Sequence, residues 1–432
     1  MNDTTPIYNL KAVIKETGLS PSTLRAWERR YGLLKPQRSP GGHRLYSRQD
    51  IEMLKWLVAR QQEGVSISQA MGMWRMQPES AHREAGIHQP YEINTGTDEG
   101  VFVELREQWM TACQAFQELA ANQVIDQAFA IASPETVSIE IFQKGLVQIG
   151  QGWYSGKLSV QQEHFASSIA TRRLDALISA LPNPTRPETI LIACPDGEEH
   201  DFILLLCSYL LRRKGWDVVN LGSDVPLEHL DQAIQSTRPV VVLSAAQTLT
   251  GAASLSEMSQ YLAERGTLLA YGGGIFSRVP DAEQHISGYY LGTDLPGLPV
   301  TIERLLLNPP IIPAALQRST EYRQTLEDFL QHKSAILTKA VSVMELLEIE
   351  WQDAGLAGDH LTHMLEAGLR LGDLQLLGFN ADWLNGLLQD RGYRISQIRQ
   401  VYFFYRQAVE NELFGQGKLI IDWLENTGAG IS

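Results

Sequence analysis

Residues 189–211 read TILIACPDGEEHDFILLLCSYLL, and the order of residue types in this stretch decides the fold class of the middle of the chain. The β-branched run Thr189–Ile192 stops at Cys194-Pro195, and a Pro-Asp-Gly turn follows. Ile203, Leu206, Cys207, Leu210 and Leu211 then recur at helical spacing. A strand, a loop and a helix in succession put His200 near the carboxyl end of a first strand, where a parallel sheet presents its ligands. By itself such a His is more often a surface or capping residue than a metal ligand.

The alternation continues outward. Strands are expected over 216–221, 239–244, 267–271 and 288–291, with helices over 227–235, 251–265 and 299–307. Strands alternating with helices at this period predict a doubly wound α/β parallel sheet over 188–308, with ligands at the carboxyl ends of the strands. Gly272-Gly273-Gly274 follows the fourth strand, where glycine allows close approach of backbone and ligand. The first strand-helix loop, PDGEEHD, lacks the glycine spacing of a dinucleotide site, which argues against a nicotinamide enzyme. The third strand ends in Ser244-Ala245-Ala246, where a receiver domain would carry its phosphoacceptor Asp.

Composition bounds the rest. A chain of 432 residues suggests two to four domains. No apolar run approaches the ~20 residues of a membrane span, and the amino end lacks a signal pattern, so the cytoplasm is the expected compartment. Three widely spaced cysteines, Cys113, Cys194 and Cys207, fit neither a disulfide framework nor a zinc site and read as buried thiols. The net charge of -14 divides unevenly: residues 1–60 hold eleven Lys/Arg against five Asp/Glu, so this segment is +6 and the remainder -20. Only the amino end is suited to a polyanion.

That end reads as short helices. The stretch 9–16 carries Leu10, Val13 and Ile14 and is closed by Gly18; Ser20-Pro21 then opens TLRAWERRYGL as N-cap and first helical residue. Two helices joined by a Gly-containing turn form a helix-turn-helix. On the second, Leu24, Trp27 and Tyr31 make an apolar face, leaving Ser22, Thr23, Arg25, Arg29 and Arg30 for phosphates and base edges. KPQRSPGGHRLY, residues 35–46, is a Pro/Gly-rich turn between extended segments, suited to lie along the DNA backbone. A helix over 47–62 follows, with Ile51, Leu54, Leu57 and Val58 inward. The helix TLRAWERRYGLLKP, the wing RSPGGHRLY and the following DIEMLKWL together resemble the MerR family of transcription regulators over about residues 8–75. The resemblance implies a winged helix-turn-helix bound as a dimer to inverted-repeat double-stranded DNA. It makes Thr23, Arg25, Arg29, Arg30 and Tyr31 recognition-helix candidates, beside Ser22, and Arg38, His43, Arg44 and Tyr46 wing candidates. Residues 77–97 are too rich in Pro, Gly and polar residues for the long dimerisation helix of many members and read as a linker.

From 98 to 187 the text is helical, with helices expected over 99–119, 121–131, 134–152 and 159–181, a four-helix bundle. Within GWYSGKLSVQQEHFAS, Trp153 precedes Glu163 and His164 by ten positions, so a short loop brings an indole beside two polar groups. This spacing resembles the cobalamin-dependent, light-sensing MerR members, in which those residues cover the upper corrin face beside the adenosyl group. Some of these photoreceptors have a His after the Trp; Tyr154 stands there in this chain. The sheet in turn resembles the cobalamin-binding domain shared with methionine synthase and the mutases. Glu198-Glu199-His200 matches its acid-x-His motif, which implies His200 as lower axial cobalt ligand with Glu198 in support. Ser244 then matches the hydroxyl facing the displaced nucleotide base, and Gly272 and Gly273 the glycines bordering that tail. Two departures are plain: the family's Gly three residues after the His is Ile203, and the positions after Ser244 are Ala245-Ala246. A branched side chain at the tail's entrance leaves loss of cobalamin, or a different tetrapyrrole, as an open alternative.

Asn308-Pro309-Pro310 marks a further boundary. Helices are expected over 314–347, 361–376, 381–391 and 395–424, with no recognised motif. Asp359-His360 and His363 read as either a metal pair or, more simply, a solvated helix start, and Val401–Tyr405 as core or subunit interface. The expected architecture is therefore multidomain: winged helix-turn-helix (1–76), linker (77–97), four-helix bundle capping cobalamin (98–187), cobalamin-type sheet domain (188–308) and an all-α segment (309–432). The expected function is a repressor, not an enzyme, controlled by adenosylcobalamin and light through a homo-oligomer, dimer or tetramer. Two rivals are a cobalamin-independent repressor answering a protein antagonist or another tetrapyrrole, and a cobalamin enzyme, against which the missing barrel-sized substrate domain and the DNA head argue.

Overall fold

The computed structural model describes residues 8–17, 24, 37–38, 44–62, 99–154, 156–309, 315–345 and 351–431. Two compact units are present, Met1–Gly100 and Val101–Ser432. In the first, Tyr8–Asn9, Arg44–Tyr46 and Gln37–Arg38 form an antiparallel sheet with Arg44–Tyr46 in the middle. Arg38 and Arg44 are cross-strand partners, so Gln37–Arg38 and Arg44–Tyr46 run antiparallel, as the two strands of a wing require. Ser47 starts the helix Arg48–Gln62 by a reciprocal cap: its Oγ accepts from Asp50 N at 3.1 Å while its own N donates to Asp50 Oδ2 at 2.7 Å. Val13, Leu24, Ile51, Leu54 and Leu57 are buried, the inward positions expected from their spacing.

The second unit opens with the bundle: Glu99–Gln114, Glu118–Ile131, a third rod from Pro134 to Tyr154 containing a π-helical segment Ser138–Gln143, and Val160–Ser179. The first break falls earlier than expected because Phe116 adopts φ 55°. Ser159 caps the last helix in a full capping box with Gln162, which places Glu163 and His164 in its first turn and a half. Trp109, Ile125, Phe142 and Ile169 are among the side chains of its core.

The sheet follows with five parallel strands in the order Asp217–Asn220, Thr189–Ile192, Val241–Ala245, Leu269–Gly272, Tyr289–Tyr290. Alternation along each strand feeds two cores. Ile190, Ile192 and Leu243 face the helices Phe202–Arg213 and Leu298–Leu307, whereas Leu191, Val242 and Tyr271 face Leu249–Glu264. The bundle docks on the first side: Leu174 of Val160–Ser179 packs with Leu206, Tyr209 and Leu210.

The carboxyl-terminal helices cover the opposite side, and one continuous apolar core joins Leu255, Met258 and Leu262 to Phe329, Leu361 and Leu365. Two expectations fail here. A helix, Trp351–Leu371, occupies much of the stretch read as a polar loop, because Ala354, Ala357 and Leu361 are buried at helical spacing. Gly358 lets the neighbouring helix Thr320–Glu345 approach: a Cβ there would lie 2.8 Å from Leu337 and Val341 side chains. The single helix expected over 395–424 is two, Ile395–Leu413 and Lys418–Gly430, broken at Phe414 and Gly415, both at positive φ. Tyr402 and Tyr405 are core residues, with Tyr405 Oη and Thr362 Oγ1 2.6 Å apart.

Candidate functional site

The first strand ends at Ile192, and the chain turns through Gly197 (φ 73°), whose N donates to Asp224 Oδ1 at 2.8 Å. Glu198 then points inward and is 1% exposed. Its Oε2 accepts from the backbone N of Gln247 at 2.7 Å and of Thr248 at 3.1 Å, and from Thr248 Oγ1 at 3.2 Å. Thr248 is the N-cap of Leu249–Glu264, so this carboxylate sits on a helix amino terminus, where unsatisfied N–H groups and the helix dipole favour an anion. Gly251 makes room: a Cβ there would lie 2.3 Å from Glu198 Oε2.

Glu198 Oε1 receives the His200 Nδ1 proton at 2.6 Å. With Nδ1 committed, Nε2 is the nitrogen left free, on a side chain that is 53% exposed. The hydrogen bond to Glu198 raises the proton affinity of His200 above the ordinary imidazole range against the opposing effect of burial, and the Glu198, Glu163 and Glu199 charges add to it. Burial pushes the Glu198 carboxyl up, but the His200 and Gln247 hydrogen bonds and the imidazole charge carry it below its ordinary value. An imidazole oriented through one nitrogen by a buried carboxylate, with the other offered outward, is the donor set a metal ligand needs. His200 and Glu198 therefore fit the cobalt of a corrinoid, which His200 would hold through Nε2.

The Glu163 charge acts on His200 and adds to the rise in its proton affinity. Glu163 accepts from Ser167 Oγ at 2.8 Å and lies 3.5 Å from His164 Nδ1, with His164 largely exposed; Trp153 ends its helix 38% exposed. Glu198 and His200 are in direct contact, Glu163 and His164 form a second pair, and Trp153 lies in the same unit. Ser244 is buried and donates to Ala193 O at 2.7 Å. Gly273, at φ 120°, crosses so close to the third strand's end that a Cβ would lie 2.0 Å from Ala246 O, which only glycine permits. Gln247, Thr248 and Gly251 escape the sequence reading, although a Thr followed by an apolar run is a legible N-cap and implies free N–H groups beside it.

Among the DNA candidates, Ser22, Thr23, Arg25, Arg29, Arg30, Tyr31 and His43 lie outside the described residues. Arg38 and Arg44 fall on the paired wing strands. Tyr46 is a correction: fully buried, it anchors the wing strand and does not reach outward to DNA. The reading of His360 as part of a solvated helix start is also corrected. It lies inside Trp351–Leu371, its Nε2 donates to Asn380 O at 3.2 Å, and its ring packs tilted against Trp383, 4.6 Å between centroids. No metal-holding group of three or more His, Cys, Asp or Glu occurs among the described residues. All three cysteines are buried, and burial pushes their thiols up to about 12.

A DNA-binding head of winged helix-turn-helix type and a separate unit built for a corrinoid define a ligand-regulated DNA-binding protein. Comparison with known proteins agrees. The profile of the MerR HTH family regulatory proteins matches residues 8–77, and that of the B12 binding domain matches residues 105–178. The HTH-type transcriptional repressor CarH of Myxococcus xanthus is 34% identical over 235 residues, 54% of this chain and 76% of that protein. CarA of the same organism is 34% identical over 237 residues, 54% and 74% of the two chains. The methanol–corrinoid protein of Methanosarcina barkeri is 27% identical over 151 residues, 34% of this chain and 54% of that one. The chain belongs to the family of cobalamin-responsive, MerR-type DNA-binding regulators. Among the described residues no helix is long and apolar enough to cross a membrane.

Proposed function

We propose that the chain is a cytoplasmic transcriptional repressor whose hold on DNA is set by an adenosylated corrinoid, adenosylcobalamin by resemblance, and released by light through a change of oligomeric state. The observation that carries this reading is the buried Glu198 clamp on His200 Nδ1, which leaves Nε2 as a preformed donor. The names of the relatives that span both modules, repressors in each case, support the regulatory direction. When bound, the corrinoid would supply a light-cleavable cobalt–carbon bond. For its part, His200 would hold the corrinoid's cobalt, Glu198 would orient that imidazole, and Trp153, Glu163 and His164 would cover the group. Tyr154 cannot replace a lost upper ligand as an imidazole would, so no bis-histidine state follows from that position. Ser22, Thr23, Arg25, Arg29, Arg30, Arg38, His43 and Arg44 are assigned to double-stranded DNA, with two or more copies reading an inverted repeat. Coupling requires only that the ligand prefer one assembly over the other.

Loading the full chain in the dark with adenosyl-corrinoid and recording its spectrum, oligomeric mass and operator affinity before and after green light tests the reading. A bound corrinoid altered by light, with weakened DNA binding, is expected. A chain that takes up no adenosyl-corrinoid, with or without its nucleotide tail, overturns the proposal, and uptake unchanged by His200→Ala overturns the axial assignment. Arg25→Ala is expected to weaken operator binding and leave the ligand spectrum intact; unchanged DNA affinity would remove Arg25 from the interface.

A further inference from the structure

The four positions matched to the nucleotide tail, Ile203, Ser244, Gly272 and Gly273, converge on one groove at the carboxyl edge of the sheet, three residues beyond His200. The far wall includes Leu291 and Leu295. Its free space is about 50 Å³, enough for a few waters at roughly 10–15 Å³ each and too small for a fused bicyclic base with its ribose. Ile203, on the first turn of Phe202–Arg213, is held in place by apolar neighbours on two sides, the core beneath the sheet helices and the cluster that joins the bundle to the sheet. The Ser244 hydroxyl already donates its proton to Ala193 O. It has none to offer the ring-nitrogen acceptor that a benzimidazole or purine base would present.

We propose that Ile203 makes this site discriminate against the nucleotide tail, so that a corrinoid lacking the nucleotide loop, cobinamide, is favoured over cobalamin. This rests on the corrinoid reading above and adds which corrinoid the site takes best. His200 and Glu198 serve both ligands alike, because cobalt ligation lies outside the groove. The difference arises where the tail must displace a packed branched side chain, an overpacking cost that corresponds to about ten-fold or more in affinity.

The test is a dark titration of the full chain with adenosylcobalamin and with adenosylcobinamide, followed by absorbance and equilibrium dialysis, for the unmodified protein, Ile203→Gly, Ile203→Ala and His200→Ala. Cobinamide has no base to displace from cobalt, so a preference alone does not implicate the groove; its response to the Ile203 variants does. Expected is tighter binding of adenosylcobinamide by the unmodified chain, with either Ile203 variant raising cobalamin affinity about ten-fold and leaving cobinamide nearly unchanged. The alanine variant keeps the helix start intact if the glycine variant unfolds. Equal or better cobalamin binding by the unmodified chain, or a ratio unmoved by both variants, overturns the inference while the corrinoid reading stands. Binding of neither ligand overturns the corrinoid reading and the inference with it.

Discussion

His200 and His360 lie in different parts of the second unit, and the same side chain meets opposite environments. His200 stands at a loop tip with its Nδ1 on a buried carboxylate, and its proton affinity is raised. His360 is packed among the carboxyl-terminal helices, its Nε2 spent on a backbone carbonyl, and burial lowers its pKa to about 4. One is oriented and left with a free nitrogen; the other is partly buried as a neutral packing element. The difference teaches that a histidine's chemistry is set by what its second nitrogen meets, not by its sequence neighbours. Glu199 and Asp359 precede them almost interchangeably, yet neither makes the decisive contact.

The largest effect expected from this contrast is on acid stability. The unfolded chain takes up a proton at His360 near 6.5 while the folded chain resists until about 4. The full contribution is therefore present above pH 6.5 and is lost as pH falls toward 4, by roughly 3 kcal/mol at the lower end. His200 has the opposite sign: its contribution is complete below its unfolded value of 6.5 and fades as pH rises through the raised folded value. Comparing denaturant midpoints at pH 7.5 and 4.5 for the unmodified chain and His360→Phe isolates the first term. An acid loss undiminished in the variant would remove His360 as its source.

Next in size is the clamp on the other histidine. Glu198→Ala is expected to lower corrinoid affinity by about 10–100-fold while leaving operator binding by the unliganded chain unchanged, the range found when a ligand's orienting partner is removed. Titration of ligand absorbance measures it, and unchanged affinity would show that His200 needs no orientation. Thr248→Ala should cost about 1 kcal/mol of stability through the lost cap and a smaller part of ligand affinity, because two backbone N–H groups still hold Glu198. Thermal unfolding reads the first effect, and an unchanged midpoint would contradict it. Smallest is Glu163→Gln, which removes one of the charges acting on His200. An NMR titration should show the His200 midpoint fall, by less than Glu198→Gln produces; an unchanged midpoint would place Glu163 outside the site.

Much of this layout was legible because it depends on local rules. The strand phasing of Thr189–Ile192 and Val241–Ala245, the helix start near Ser159, and the helical spacing of Ile51, Leu54 and Leu57 follow from local pattern alone. Less of the site was legible, since its supports are non-local. Gln247 and Thr248 reach Glu198 across about fifty residues only because two parallel strands end side by side. The helix over Trp351–Leu371 was obscured by Gly355 and Gly358, residues that disfavour helix in isolation and are tolerated where a neighbouring helix must come close.

The sequence by itself determined the modular plan, the basic DNA-binding end and the identity of the metal-ligand candidate, because composition, period and short motifs act within a few residues of chain. Only the tertiary structure decided which nitrogen of His200 is free, that Tyr46 faces inward, that His360 is packed against Trp383 and bonded to Asn380, and that Ile203 shares a groove with Ser244, Gly272 and Gly273. Those outcomes depend on which distant groups meet in the low-dielectric space between packed elements, where a carboxylate, a carbonyl or a methyl group gives the same side chain a different chemistry.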